Sequence, residues 1–459
     1  MSRQRLPEAG QANQVLAQRF WALVLIALAL RIISLFAVLP YVQAHSPQYY
    51  GAERFPDGYD RIAWNLVQGN GYRMYPDTSL TMVRTPGFVL LLALLFTIFG
   101  KSLVAVQITN LAFSTVSAVL THVLARKLGF SNVVATIAAL LFYFHPGVVI
   151  ADSRGGPESM LTLCLIALVL LIAIASHSLK WLHFAIAGVV IGLAMLVKST
   201  VAPVVPVLFL YFVWKAPDVL TRRRILAGMA VCALAATLVM TPWVVRNYRV
   251  SGKFMPTMTV GKLVAFQGAY AIQHLDSNIE NVEVLKGADR EQVAIAKEMG
   301  LKSKGESFPQ FPAIGEEVLF YDELGKRAVD IYRQDPELLV RGIAHNAWAF
   351  WAWGRTRRAT MFNAMLTVPL VALAAMGLLA ARKTSRWEGG LQLLLIMVTY
   401  MIPHLFILGM ARYYIPLVPL VAVLAALPLA NWGEHWIRAG SPTLNLAVAS
   451  GNRNTAGAR

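Results

Sequence analysis

The sequence is short of charged residues and of cysteine. Only 14% of its 459 residues are charged, whereas soluble globular domains carry about 25%. This shortage excludes an ordinary water-soluble protein, because so uncharged a surface must largely face lipid. The two cysteines, Cys164 and Cys232, both lie inside apolar runs. We interpret them as small core residues and not as a disulfide or a metal site.

Acidic residues are especially scarce. There are 24 Asp and Glu against 41 Lys and Arg, which gives a formal net charge of +17. A chain this basic raises the question of nucleic-acid binding. The basic residues, however, cluster in short segments between apolar runs, as the loops on the inner side of a membrane do. We therefore expect no nucleic-acid partner.

Long apolar runs dominate what is present, and 57% of the residues are hydrophobic. A helix crosses a bilayer with about 20 apolar residues. The runs predict an all-α polytopic membrane protein with about ten spans and with both termini inside. These spans are Phe20–Leu39, Ser102–Ala125, Val133–Ile150, Ser159–Ser176, Trp181–Val197, Val201–Trp214, Ile225–Val245, Ala359–Ala381, Gly390–Leu408 and Ile415–Leu429.

One further run, Pro86–Phe99, is too short to span comfortably. If it crossed the membrane, Arg126 and Lys127 would lie outside. If it is an interfacial or re-entrant helix, these residues and every later basic loop fall inside. We therefore predict that this helix does not cross the membrane. The resulting layout is a cytoplasmic tail (1–19), an N-terminal transmembrane module (20–245) with a first outer loop (40–101), a large outer region (246–358), C-terminal transmembrane helices (359–430) and a disordered cytoplasmic tail (431–459).

Acidic residues on the outer side are candidates for chemistry. Asp57 stands in Pro56-Asp57-Gly58, a turn at which a carboxylate could act as a general base or simply cap the following helix. Glu158 follows Pro157 at the start of a span. It could interact with the helix dipole, act as a second acid, or bind a divalent cation together with Asp152.

Several cations are predicted at the same outer boundary, namely Arg84, Lys198, Arg246 and Arg412. Each could be an interface anchor, but a lipid phosphate bound there would need such partners.

Arg31 lies within the first span, and a charge at that depth is a functional candidate. His145, His274, His345 and His404 show no metal-ligand spacing, and we interpret them as packing or interface residues.

In the order of its motifs the chain resembles the multi-spanning glycosyltransferases that use a polyprenyl-phosphate sugar, a GT-C family that includes aminoarabinose transferases and protein O-mannosyltransferases. Thr85 departs from the family, in which a second proline is common at that position. The resembling stretches are Asp57–Tyr59, Gly69–Tyr72, Arg84–Phe88, Thr241–Tyr248 and Arg412–Pro419.

The resemblance implies an inverting glycosyltransferase of the bacterial inner membrane, with its site on the periplasmic side. It also implies that Pro86–Phe99 is a juxtamembrane helix, in agreement with the loop charges. It implies that Asp57 is the catalytic base and that Glu158 is the acidic residue of the second outer loop. Arg84, Arg246, Arg412 and Lys198 would bind the donor phosphate, and a divalent cation could assist. The acceptor would be a glycan, a lipid or a protein. A transporter or flippase is the alternative, and a non-catalytic scaffold the third hypothesis.

The predicted topology can be tested by labelling single cysteines with a membrane-impermeant reagent. Asn132→Cys should be labelled only from the inside and Ser277→Cys only from the outside, because the basic loops define the inner face. Labelling of Asn132→Cys from the outside would contradict the ten-span layout.

Overall fold

The computed structural model describes residues 22–45, 55–275 and 280–440. In these ranges the chain is helical, and the extended pairing consists of an isolated bridge between Lys304 and Gln310. The predicted all-α class is confirmed. The helices are α1 Ala22–Val42, α2 Tyr59–Val67, α3 Pro86–Phe99, α4 Leu103–Lys127, α5 Asn132–Tyr143, α6 Pro146–Ser153, α7 Glu158–Ser178, α8 Trp181–Val197, α9 Val204–Lys215, α10 Val219–Ser251, α11 Val260–Gln273, α12 Asn281–Glu298, α13 Glu316–Gln334, α14 Pro336–Ala352, α15 Arg357–Arg382, α16 Trp387–Leu405 and α17 Val418–Gly440.

Six helical segments of the described chain are long and apolar enough to cross a membrane, and a bent pair gives a seventh. They are α1, α4, α7, α10, α15 and Ala411–Trp432, which consists of the 3₁₀ turn Ala411–Leu417 and most of α17. The protein is thus a polytopic membrane protein. The count of ten spans is not confirmed, since α8 and Ser199–Lys215 are shorter apolar helices.

The predicted span Val133–Ile150 is wrong as a single straight helix. It is the bent pair α5 and α6, whose axes differ by 47°. Pro146 explains the bend, because it lacks an N–H and forces the preceding residue out of the helical region. His145 accordingly has φ −61° and ψ 123°, and its Nδ1 accepts a hydrogen bond from the Gly147 N–H. The bend brings Asp152 to the end of α6 and next to α7.

Helix α3 has the properties predicted for a juxtamembrane helix. Its 14 residues reach about 21 Å at 1.5 Å per residue, less than the roughly 30 Å of a bilayer core. One face buries Phe88, Leu92 and Phe96, while Leu90 and Leu94 remain exposed. An exposed apolar face on a short helix suits a position along the membrane interface.

The outer region packs directly on the first outer loop. Both contribute to one hydrophobic cluster, in which Ile62 and Phe88 lie with Leu263, Phe320 and Tyr321. The two segments that the sequence separates into different regions therefore share a core above the membrane helices.

Two predicted boundaries differ from the structure. Helix α10 continues to Ser251, so residue 246, at which the outer region was predicted to begin, is still helical. Helix α17 continues to Gly440, so the predicted disordered tail does not begin at residue 431. The rest of that tail (441–459) and the predicted N-terminal tail (1–19) lie outside the described residues.

Candidate active site

Asp57 occupies an unusual backbone conformation. The turn Pro56–Gly58 is a single 3₁₀ turn in which Asp57 has φ 68° and Gly58 has φ 71°. A positive φ is uncommon outside glycine, although aspartate tolerates it better than most residues, and such strain gathers at functional sites. Gly58 is the N-cap of α2, and no side chain caps that helix. The capping role considered for Asp57 is therefore wrong.

The carboxylate of Asp57 is held by two arginines. Arg412 binds it in a bidentate manner, with Nη1–Oδ2 and Nη2–Oδ1 distances of 2.9 and 3.1 Å. Arg84 lies 3.8 Å from Oδ1 and donates from Nε to the Asp57 carbonyl at 3.0 Å. Burial alone would raise the pKa of Asp57, but the charges of Arg412 and Arg84 and the Arg412 hydrogen bond hold it well below its usual value.

Arg84 is buried, and its guanidinium contacts both a backbone carbonyl and two aromatic rings. Its guanidinium lies over the rings of Tyr59, at 5.0 Å, and Phe308, at 4.5 Å. The Tyr72 hydroxyl donates to the Arg84 carbonyl at 2.9 Å. These contacts and the bond to the Asp57 carbonyl show that Arg84 positions the Asp57 turn.

Phe308 is a residue of this site that the sequence did not indicate. It belongs to the outer region, between α12 and α13, and reaches the first outer loop only through the shared core. Its ring is a wall of the site because it covers Arg84. No motif marks a phenylalanine in a 17-residue stretch between helices, so no sequence signal could have found it.

Lys198 lies near the same carboxylate, within electrostatic range of it. It follows the last residue of α8, where the Thr85 hydroxyl donates to the Val197 carbonyl at 2.9 Å. A proline at position 85 could not make this bond. The Lys198 ammonium lies 4.4 Å from the centre of the Tyr413 ring and within electrostatic range of Asp57 and Glu158. Within the described chain it has no carboxylate within ion-pair distance.

Glu158 is buried, at 8% exposure, as the first residue of α7. Its carboxylate forms no hydrogen bond or ion pair with the described residues, although it lies within electrostatic range of Lys198 and Arg412. The turn before it is held from α4, where Gln107 Nε2 donates to the Ser153 carbonyl. A Cβ at Gly155 would overlap the Phe55 ring, so this turn packs tightly next to the Asp57 turn.

Asp152 does not join the site. Its carboxylate accepts from Arg31 at 2.7 Å, from Ser114 at 2.7 Å and from Ser159 at 2.5 Å, and both charged side chains are fully buried. Arg31 is therefore the ion-pair partner of Asp152. Asp152, one of the two residues predicted to bind a divalent cation, is thus engaged by these three partners, and the described residues contain no group of three or more His, Cys, Asp or Glu that could hold a metal.

Arg246 also lies apart from Asp57. Its Nη1 donates to the Thr81 carbonyl at 2.8 Å, and its guanidinium lies over the rings of Tyr72 and Trp243, at 5.1 and 4.9 Å. It joins α10 to the first outer loop. Of the residues predicted for the site, the structure thus brings Asp57, Arg84, Lys198, Glu158 and Arg412 together, and it places Asp152 and Arg246 elsewhere.

Comparisons with known proteins agree with this architecture. Residues 83–243 match the family model of the dolichyl-phosphate-mannose-protein mannosyltransferases. None of the curated proteins matches the chain. The archaeal oligosaccharyltransferase AglB from Archaeoglobus fulgidus, in complex with an inhibitory peptide and a dolichol-phosphate, is similar with a TM-score of 0.53 and 15% identity. The match covers 96% of this chain and 52% of that chain.

Two further solved structures are similar. The apo form of the Archaeoglobus fulgidus oligosaccharyltransferase has a TM-score of 0.55 and 15% identity, over 92% of this chain and 52% of that chain. ArnT from Cupriavidus metallidurans bound to undecaprenyl phosphate has a TM-score of 0.40 and 12% identity, over 90% and 79%. This chain spans about half the length of the oligosaccharyltransferase, and it shares the fold of the matched part of that protein. The resemblance found in the sequence is confirmed.

The ion pair predicts a pH-dependent difference in stability between the wild type and Asp57→Asn. Above about pH 4, where an unfolded aspartate is ionised, ionised Asp57 stabilises the fold through Arg412. As the pH falls towards the lowered pKa of the folded state, the carboxylate takes up a proton and this contribution is lost. The thermal unfolding midpoints of the two detergent-solubilised proteins should therefore differ at pH 7 and converge on acidification.

Asp77→Asn is the matched control. Asp77 pairs with Lys304 on the exposed surface, at a side-chain exposure of 64%, where ion pairs contribute little. Its unfolding midpoint should stay close to that of the wild type at every pH. A constant gap between wild type and Asp57→Asn at all pH values would mean that the charge of Asp57 does not stabilise the fold.

Proposed function

We propose that this protein is an integral-membrane glycosyltransferase that moves a sugar from a polyprenyl-phosphate donor to an acceptor hydroxyl, with inversion at the anomeric carbon. The observation that carries the proposal is the convergence of Asp57 with Arg84, Arg412 and Lys198 beside the unpaired carboxylate of Glu158. A base next to a cluster of cations suits a reaction in which a hydroxyl loses a proton and a phosphate leaves. The GT-C fold supports the same activity.

In the proposed reaction the acceptor oxygen attacks the anomeric carbon and its proton passes to a carboxylate oxygen of Asp57. The new bond to the acceptor oxygen forms as the bond between the anomeric carbon and the phosphate oxygen breaks. The lipid phosphate departs with the bonding electron pair. Lys198 and Arg412 stabilise the negative charge that develops on it, and a single displacement inverts the configuration.

The resting ion pair adds a requirement to this mechanism. Both oxygens of Asp57 accept hydrogen bonds from Arg412, so the carboxylate is a poor base in this arrangement. A donor phosphate offers Arg412 a competing bidentate partner. Donor binding would therefore loosen the pair and make Asp57 more basic when the acceptor is to be deprotonated. Buried Arg412 Nε, which has no hydrogen-bond partner in the described chain, is a further available donor.

Arg84 has a supporting role in this proposal. Its guanidinium is already engaged by the Asp57 backbone and two aromatic rings, so it fixes the base more than it binds phosphate. In this proposal Lys198 and Arg412 supply the positive charge that a divalent cation would otherwise bring to the phosphate. The transporter alternative rested partly on Arg31 deep in a span, and Arg31 is engaged by Asp152.

The surroundings of the reaction belong to the same proposal. The basic short loops favour a site on the outer side of the membrane, which in a bacterium is the periplasmic face of the inner membrane. The acceptor is a glycan, a lipid or a protein that presents a hydroxyl there.

Asp57→Asn should reduce sugar transfer by roughly 10²–10⁴-fold, the usual contribution of a positioned base. The amide keeps the shape of the side chain but cannot take the proton. Because Asn no longer binds the charge of Arg412, affinity for undecaprenyl phosphate should stay the same or rise. Turnover and binding should be measured on the same purified protein. Near-normal turnover would rule out Asp57 as the base, with Glu158 as the next candidate.

The binding role can be tested by comparing two cations that differ in their environment. Lys198→Ala should weaken binding of undecaprenyl phosphate by about 10- to 100-fold, as expected for a charged hydrogen-bond donor. Arg246→Ala is the matched control, since its guanidinium is used by the Thr81 carbonyl and two rings. It should lower the unfolding temperature and leave the affinity unchanged. Weaker binding in Arg246→Ala together with unchanged binding in Lys198→Ala would instead identify Arg246 as the phosphate ligand.

A further inference from the structure

A cluster of buried polar groups lies next to Lys198 and Glu158 and is not used by the proposed proton transfer. Three elements contribute to it, namely the turn after α8, the outer end of α16 and the start of α7. The Thr200 hydroxyl, the Tyr400 hydroxyl and both ring nitrogens of His404 are shielded from solvent and have no hydrogen-bond partner in the described chain.

Several contacts place these groups together. The Tyr400 hydroxyl lies beside the Thr200 hydroxyl without reaching hydrogen-bond geometry, and it is within electrostatic range of Glu158. The His404 ring stacks on Tyr413 at 4.7 Å, and Lys198 contacts that same ring at 4.4 Å. The cluster is thus continuous with the phosphate side of the candidate active site.

The protein holds this cluster in place firmly. Asn346 of α14 is 2% exposed and joins both ends of the segment that follows α16. Its Nδ2 donates to the Leu405 carbonyl at 3.1 Å, and its Oδ1 accepts from the Gly409 N–H at 3.1 Å. The residue beside Leu405 is His404, and Arg412 follows shortly after Gly409. One side chain therefore fixes the unpartnered imidazole relative to the cation that binds Asp57.

Unpartnered buried polar atoms destabilise a fold, and native proteins contain few of them. Thr200, Tyr400 and His404 leave four such atoms at one place. A cluster of this kind indicates that a polar ligand completes the hydrogen bonds. The mixture of groups identifies its chemistry, since hydroxyls and a neutral imidazole can donate and accept, the ammonium of Lys198 only donates and an ionised Glu158 only accepts.

We propose that Glu158, Thr200, Tyr400 and His404 form the pocket that binds the hydroxyl groups of the donor sugar, with Lys198 at the border between this pocket and the donor phosphate. A polyhydroxylated ring offers donors and acceptors in the same way. A phosphate group would be repelled by the Glu158 carboxylate, and a lipid chain would leave every polar group unpaired. The inference rests on the proposed function, because it assigns the sugar end of the same donor, next to the phosphate ligands.

The test uses variants that remove one hydroxyl while keeping the shape of the side chain, Thr200→Val and Tyr400→Phe. Full-length protein in detergent would be titrated with undecaprenyl phosphate and with undecaprenyl phosphate that carries mannose, glucose or galactose. The wild type should bind one of the sugar-bearing lipids more tightly than the bare phosphate. Each variant should lose about 10-fold in affinity for that lipid and keep its affinity for the bare phosphate.

A second measurement separates this role from a structural one. Removing an unpaired buried hydroxyl should leave the unfolding temperature unchanged or raise it, whereas removing a structural hydrogen bond would lower it. Ser176→Ala is the matched control. Ser176 Oγ is also buried without a partner in the described residues, but it lies 18 residues along α7 from Glu158, about 27 Å away along the helix axis. This variant should bind all the lipids like the wild type.

The outcomes are distinguishable. Equal losses for bare and sugar-bearing lipid, unchanged affinities in both variants, or a wild type that prefers none of the sugars would overturn the sugar pocket. Unchanged affinities would mean that water fills the cluster. A wild type that binds undecaprenyl phosphate in none of these forms would instead overturn the proposed function itself, and the pocket with it.

Discussion

The ion pair between Asp57 and Arg412 is the interaction on which the candidate active site depends. It joins residues that are 355 positions apart, one in the first outer loop and one at the start of the last span. Both side chains are largely buried, with exposures of 16% and 30%, and an unpaired charge in such a place is strongly disfavoured. The pair therefore joins the first outer loop to the membrane helices. Breaking it would be unfavourable, because water could hydrate the two separated charges only in part.

The same pair limits the chemistry that the resting protein can perform. An ionised carboxylate beside a lipid-linked sugar could also activate water, which would hydrolyse the donor. While Arg412 occupies both oxygens of Asp57, this carboxylate is unavailable to water and to an acceptor alike. Under the proposed mechanism, the phosphate that releases Arg412 belongs to the donor itself. Asp57 then becomes more basic only when the donor is bound, because the donor phosphate draws Arg412 away from it. This coupling is electrostatic and requires no domain movement.

The sequence predicted those parts of the structure that have a local cause. Apolar length and loop charge identified the membrane class and the short helix α3, and Pro56-Asp57-Gly58 identified the turn that carries Asp57. The bend at Pro146 also has a local signal, but the uninterrupted apolar run concealed it. Arg246 and Arg84 looked equivalent, since each is an arginine at the outer boundary near a proline. Only the packing of the first outer loop decides that Arg246 faces the Thr81 carbonyl while Arg84 reaches Asp57.

Long-range contacts account for the remaining differences. The metal prediction for Asp152 depended on an acidic residue near Glu158, and nothing in the sequence pairs Asp152 with Arg31, which is 121 positions away. Phe308 and His404 enter the site from segments that share no motif with the first outer loop. Their positions follow from the packing of the outer region and from the hydrogen bonds of Asn346, which spacing along the chain does not reveal.

Two neighbouring polar clusters show how differently buried groups can be used. Around Asp152, the carboxylate accepts three hydrogen bonds, from Arg31, Ser114 and Ser159. Such a network mainly fixes the start of α7, because its acceptor is already satisfied. Around His404, by contrast, donors and acceptors are fixed in place and remain unpaired. Around Asp152 the groups left open are two donors of Arg31, Nε and Nη1, whereas around His404 they are hydroxyls and an imidazole, which can donate and accept and therefore suit a hydroxylated ligand. Unpaired groups around His404 lower the stability of the fold, and binding sites are commonly less stable than the rest of a protein for this reason.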